Sequence, residues 1–228
     1  MRVLLFDIDG TLLLTGGAGF VALRRIFADL YGVEDAVRDI EFHGRTDPLI
    51  LDSIAERHLG RRLSTDEARR VEERYVTELG PCLDSSEGFQ VLPGVVGLLE
   101  ALGTREDVVL GLATGNWERA AHAKLRRGSL DRWFDSNGAL PAGYGSDAAD
   151  RAELTRLAVQ RARGIAGPDA EILVIGDTIH DVRASAAAGV PCLAVATGNA
   201  TEAVLEAEGA AWTVPSLESP DVARILGL

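Results

Sequence analysis

Two short apolar runs, residues 3–6 (Val-Leu-Leu-Phe) and 172–175 (Ile-Leu-Val-Ile), each reach an aspartate within two positions, and this constrains the fold more than any other feature. Such runs read as buried strands that deliver a carboxylate at their ends. Further β-rich runs at 108–113, 133–137 and 191–196 bring the set to five, and most alternate with helical segments. One helix carries Val95, Leu98, Leu99 and Leu102 at helical spacing and ends near Gly103, and another, over 150–163, places Leu154, Leu157 and Ala158 on one face. Strands alternating with helices predict an α/β fold with a doubly wound parallel sheet, whose ligands lie beyond the carboxyl ends of the strands. Asp7 follows the first strand, Thr114 the second and Asp177 the fourth, so all three emerge at one edge of the sheet.

The interval between the first two strands is too long for a simple crossover. Phe20, Leu23, Phe27, Leu30 and Tyr31 form a helical stripe, Asp47-Pro48 opens a second helix, and Ser64-Thr65-Asp66-Glu67 opens a third. No strand pattern interrupts them. The expected organisation is an α/β core domain of residues 1–15 and 89–228 with a helical cap domain of residues 16–88 inserted into it. The hinges are Thr15-Gly16-Gly17 and Ser85-Ser86-Glu87-Gly88. A lid over a reactive site excludes water and selects substrate.

The 228 residues, 46% of them hydrophobic, can bury a full core. Lys+Arg 23 against Asp+Glu 35 leaves a formal net charge of -12, which repels a phosphate backbone and argues against nucleic acid as a partner. Cys82 and Cys192 read as reduced packing residues. There is neither a secretion-signal pattern at the N-terminus nor an apolar stretch of membrane-spanning length, so no membrane association and a cytoplasmic location are expected.

The chemistry concentrates in three places. Asp7-Ile8-Asp9-Gly10-Thr11-Leu12 fixes two acids at one strand end, a pair suited to a hard cation, with one acid as nucleophile and the other as proton carrier. Thr114-Gly115-Asn116 ends a strand with a hydroxyl before a helix start, an anion cradle that is also an ordinary N-cap turn. Gly176-Asp177 is followed by Asp181, and Asp177 can complete a magnesium site with Asp7 and Asp9.

In this order and at these separations, the three motifs resemble the haloacid dehalogenase (HAD) superfamily of phosphohydrolases. The stretch Phe42-His43-Gly44-Arg45-Thr46-Asp47 and the cap position are most similar to phosphoglycolate phosphatase-like members with a helical C1-type cap, and to the related β-phosphoglucomutases. The resemblance implies a five-stranded HAD-like Rossmannoid core of order 5-4-1-2-3. It implies a phosphatase acting on a small phosphorylated metabolite, with Asp7 as the nucleophile that becomes an aspartyl-phosphate. Asp9 matches the acid that protonates the leaving oxygen and later activates water. Asp7, Asp177 and the backbone carbonyl of Asp9 match Mg2+ ligands, with Asp181 as ligand or support. Thr114 and the N–H groups of Gly115 and Asn116 match the phosphoryl clamp.

One element departs from the family pattern. Where the family carries a lysine, or sometimes arginine, before the fourth strand's helix, this chain has Asp150-Arg151-Ala152-Glu153, and Arg151 is taken as the cation spanning nucleophile and phosphate. Lys124 is the rival; it lies about ten residues after Thr114, roughly 15 Å along a helix axis at ordinary rise, and reads as a solvated helix lysine. Arg45 and His43 sit where a cap faces the core and are candidates for substrate contact, or surface-loop residues. A dehalogenase would carry an aromatic residue at Asp9 and a phosphonatase would lack the acid there. A receiver module would be shorter and uncapped. A phosphomutase, or a non-catalytic member that binds a partner, stays open as the alternative.

Overall fold

The computed structural model describes residues 1–134 and 140–228. Strand β1 (Arg2–Phe6) lies inside the main sheet, and Val3, Leu4, Leu5 and Phe6 have no solvent-accessible surface. It pairs in parallel with β4 (Val108–Thr114) on one side and β6 (Glu171–Gly176) on the other. Beyond β4 lies β5 (Ala142–Tyr144); beyond β6 lie β7 (Cys192–Val195) and β8 (Trp212–Val214). The full order is β5-β4-β1-β6-β7-β8. The inner order β7-β6-β1-β4-β5 follows the expected order 5-4-1-2-3, with β5 in the place of the third expected strand, and β8 is a sixth that extends the sheet past β7.

Side chains of β1 alternate between two cores, as a pleated strand requires. Leu4 and Phe6 pack under α4 (Val95–Gly103), α5 (Glu118–Arg127) and α9 (Pro220–Leu226). Val3 and Leu5 pack under α6 (Arg151–Ala166), α7 (Ile179–Ala187) and α8 (Glu202–Ala207). The sheet is therefore covered on both faces, which is why its strands read as continuous apolar runs.

The strand expected at 133–137 is not formed where the chain is described. Asp131–Trp133 is a 3-10 helix, Phe134 is fully buried edge-on against Phe6 with ring centroids 6.1 Å apart, and residues 135–137 lie outside the described residues. The apolar character there comes from capping the core. The edge strand is β5 instead, and its Ala142-Gly143 leaves room for α6: a Cβ on Gly143 would fall 2.1 Å from the Leu154 carbonyl oxygen.

Between β2 (Leu13–Thr15) and β3 (Phe89–Val91), which pair antiparallel as a short ribbon, run α1 (Ala18–Tyr31), α2 (Asp47–Leu59) and α3 (Thr65–Asp84). These helices bury their own cluster, centred on Ala22, Ile26, Phe27, Ile54, Val71 and Leu79. Thr46 is the N-cap of α2, with Asp47 and Pro48 in its first turn, and Ser64 and Glu67 form the capping box of α3. Phe20 departs from the expected stripe: it is 42% exposed and packs on Phe42 with ring centroids 4.2 Å apart. Among the described residues, no helix is long and apolar enough to cross a membrane.

Candidate active site

Ile8 decides how the two acids of the first motif separate. It is fully buried, so the carboxylates on either side of it point elsewhere. The Asp7 N–H donates to the Ile175 carbonyl at 2.8 Å, which extends the β1–β6 ladder by one residue and turns the Asp7 side chain, 6% exposed, into the sheet edge. The Asp9 side chain is 41% exposed and opens into the cleft.

Asp7, Asp177 and Asp181 bring one carboxylate oxygen each within 4.8 Å of one another, all buried. Thr11 Oγ1 donates to Asp177 Oδ1 at 3.0 Å. The backbone is shaped around Asp177: a Cβ on Gly10 or Gly198 would fall 2.3 or 1.9 Å from its Oδ2. Arg151, the first residue of α6, is set by the Asp150 N-cap. Its Nη2 lies 2.9 Å from Asp7 Oδ2 and 2.6 Å from Asp181 Oδ1, and its Nε donates to the same Asp181 oxygen at 3.0 Å. Asp181 Oδ2 accepts from the Thr178 N–H and hydroxyl, at 3.0 and 2.6 Å. Both oxygens of Asp181 are thus engaged, and its visible work is to hold Arg151.

Three carboxylates facing one guanidinium leave an excess of two negative charges in a buried site. Burial raises the Asp7 pKa to about 6, against the opposing pull of Arg151. Asp177 is pushed well above the usual carboxylate range, by burial first and then by the charges of Asp181 and Asp7. Oxygen-only donors with this charge excess suit a hard divalent cation.

Lys124 corrects the reading of a solvated helix lysine. Its side chain is 6% exposed, and Nζ donates to both oxygens of Asp9, at 2.9 and 2.7 Å, and to Asn116 Oδ1. Burial alone would lower its pKa, but Asp9 and Asp47 outweigh that and the net shift is upward. The reason is geometric: α5 starts at Glu118, so Lys124 lies only about 9 Å along the axis, and helical side chains tilt back toward the N-terminus. A usable signal was present, since Ala120, Ala121 and Leu125 define the buried face of α5 and Lys124 falls within it.

The second motif also serves Asp9. Asn116 Nδ2 donates to Asp9 Oδ2 at 2.7 Å and to Thr114 Oγ1 at 2.8 Å, while Thr114 itself is fully buried. The helix start is only partly open to an anion, because the Trp117 N–H donates to Asp47 Oδ2 and the Glu118 N–H to Ser146 Oγ, both at 2.9 Å. Gly115 and Asn116 line the cleft.

That cleft, about 430 Å³, lies between the sheet edge and the helical insert. Phe20, Leu23, Phe42, Ile50 and Tyr75 form its apolar wall on the insert side, with His43 and Arg45 beside them. The Arg45 guanidinium turns back onto its own segment, 3.3 Å from the Leu49 carbonyl oxygen. The insert docks through hydrogen bonds that end on backbone carbonyls: the Asp47 N–H donates to the Gly115 carbonyl at 2.8 Å, Thr46 Oγ1 to the Ala149 carbonyl at 2.7 Å, and Arg151 Nη1 to the Gly44 carbonyl at 3.4 Å. Asp47 reads in sequence only as a helix-start residue, yet it ties the insert to α5, where desolvation pushes its carboxyl up to about 6.

A parallel sheet with this acidic edge defines the class, and the haloacid dehalogenase-like hydrolase family profile matches residues 1–189. The chain belongs to that family and is a hydrolytic enzyme. It is 29% identical over 210 residues to phosphoglycolate phosphatase of Rhodospirillum rubrum, covering 89% of this chain and 83% of that protein. Among solved structures it superposes on a hydrolase from Pseudomonas syringae with a TM-score of 0.70 and 23% identity, over 100% of this chain and 98% of the other. A Thermotoga maritima protein provisionally named β-phosphoglucomutase gives a TM-score of 0.61 and 26% identity, over 100% and 99%.

Proposed function

We propose that this chain is a magnesium-dependent phosphatase of a small phosphorylated metabolite that works through an aspartyl-phosphate on Asp7. The observation that carries the reading is the division of labour between the two acids. Asp7 is buried against Arg151 beside two further carboxylates, whereas Asp9 opens into the cleft under a separate cation. An Asp7 carboxylate oxygen attacks phosphorus as the ester bond breaks, and the leaving oxygen takes a proton from Asp9. Asp9, now ionised, takes a proton from water as that water attacks the phosphoryl group and frees Asp7. Arg151 offsets the negative charge brought against Asp7. Asp7, Asp177 and the Asp9 carbonyl would hold Mg2+, which when bound supplies further positive charge at the transferring group. Residues 16–88 act as the cap, with the Phe20–Phe42 wall facing the organic part of the substrate.

A phosphomutase would use the same residues and return the phosphoryl group to a sugar hydroxyl instead of water. The similarity to the Thermotoga maritima protein favours including it in the test. A phosphate-release screen over several dozen metabolites with Mg2+, among them phosphoglycolate and β-glucose 1-phosphate, with the sugar phosphate also followed for isomerisation, separates the two. Isomerisation of the sugar phosphate without release would replace the phosphatase reading.

Cation binding has its own readout. At Mg2+ one hundred times its Kd, the folded state gains about 2.7 kcal/mol, and the melting temperature should rise by roughly 5–10 °C for a chain of this size. Failure of Mg2+ or Mn2+ to raise it would remove the cation from the site. Gly198→Ala should shrink that rise to less than about half while leaving the metal-free melting temperature within a few degrees, because the new methyl displaces Asp177 rather than core packing. An unchanged rise would mean that Asp177 is not a ligand.

A further inference from the structure

We infer that Lys124 is a positioning residue for proton transfer: it holds the Asp9 carboxylate in the cleft and acts on the leaving group only through Asp9. The inference rests on the reading of Asp9 as the proton carrier and extends it to a residue outside the motifs that suggested it. Three hydrogen bonds fix the plane of the Asp9 carboxylate, two from Lys124 Nζ and one from Asn116 Nδ2. A carboxylate torsion is broad when nothing holds it, and the Asp9 side chain is 41% exposed. Without Lys124, one bond to Asn116 would remain and the acid could swing toward water.

Lys124 is itself rigid. It emerges from the buried face of α5, and Asn116 Oδ1 accepts a further bond from its Nζ. The turn that leads into α5 is held in turn by the insert, through the paired contacts of Asp47 with Gly115 and the N-cap Trp117. The position of the acid therefore depends on the insert being docked. Lys124 and Arg151 serve different acids: Lys124 contacts Asp9, and Arg151 contacts Asp7 and Asp181.

The test exploits the leaving group. 4-Nitrophenolate departs without a proton, whereas 4-methylphenolate departs poorly without one, and the two phosphate esters have nearly the same shape. In Lys124→Met, kcat/KM should fall on the order of 10²-fold for 4-methylphenyl phosphate and by less than about threefold for 4-nitrophenyl phosphate. Damage to the fold would lower both rates alike, so the ratio reports the proton step. Asp9→Asn serves as the reference and should show the same selectivity in stronger form. Equal losses on the two esters in Lys124→Met, with selective loss in Asp9→Asn, would overturn the role of Lys124 and leave that of Asp9 standing. Equal losses in Asp9→Asn would overturn the proton-carrier reading itself.

Discussion

Asp7→Asn should reduce turnover by on the order of 10³-fold or more without unfolding the protein. The amide matches the carboxylate in shape, so the strand end keeps its packing and the residue 7 N–H keeps its bond to Ile175. What is lost is the nucleophilic oxygen. The substitution also removes one of three buried carboxylates that crowd a single guanidinium, and burial already makes charging Asp7 costly. The metal-free melting temperature should therefore hold or rise, while the rise produced by Mg2+ becomes smaller. Phosphate release, acid-quenched trapping of a phosphoenzyme and thermal denaturation together decide the matter. Turnover within tenfold of the parent by a folded variant that traps no phosphoenzyme would remove Asp7 as nucleophile.

How much of this site could be read from sequence follows from where each residue's partners lie. Asp7, Asp9 and Asp177 were legible because strand ends place them, and a strand buried on both faces announces itself by an unbroken apolar run. The Ser64–Glu67 capping box was legible because its partners are three residues apart. Strand β5 was not, since Ala142, Gly143 and Tyr144 are too few to show alternation and Gly143 is there to fit beneath α6, whereas Trp133 and Phe134 imitate a strand. The ribbon of β2 and β3 and the edge strand β8 are likewise only three residues each, too short for alternation to register. Asp47 and Lys124 escaped for a different reason. Their meaning depends on contacts with residues 70 to 115 positions away, and local spacing shows only a helix start and a helix lysine.

Arg151→Ala should be the second severe loss, on the order of 10²- to 10³-fold in kcat/KM. The guanidinium is the cation in direct contact with Asp7, and its fork reaches Asp7 and Asp181 together. An incoming phosphate adds negative charge where two charges are already in excess, so removing the fixed cation penalises the approach of phosphorus to Asp7. Stability should fall too, by about 3–5 kcal/mol, because Asp181 is left buried without its partner. Mg2+ should then raise the melting temperature of Arg151→Ala by more than it raises that of the parent. Arg151→Lys should recover part of the rate, since an ammonium restores charge but cannot span both carboxylates with a planar fork. Leaving-group dependence separates this variant from Lys124→Met. Arg151 acts on the phosphoryl group, which is common to every ester, so its loss should be of similar size for 4-nitrophenyl and 4-methylphenyl phosphate. A folded Arg151→Ala protein with near-parent rates on both would show that the guanidinium only braces Asp181, and that the charge on the phosphoryl group is met elsewhere.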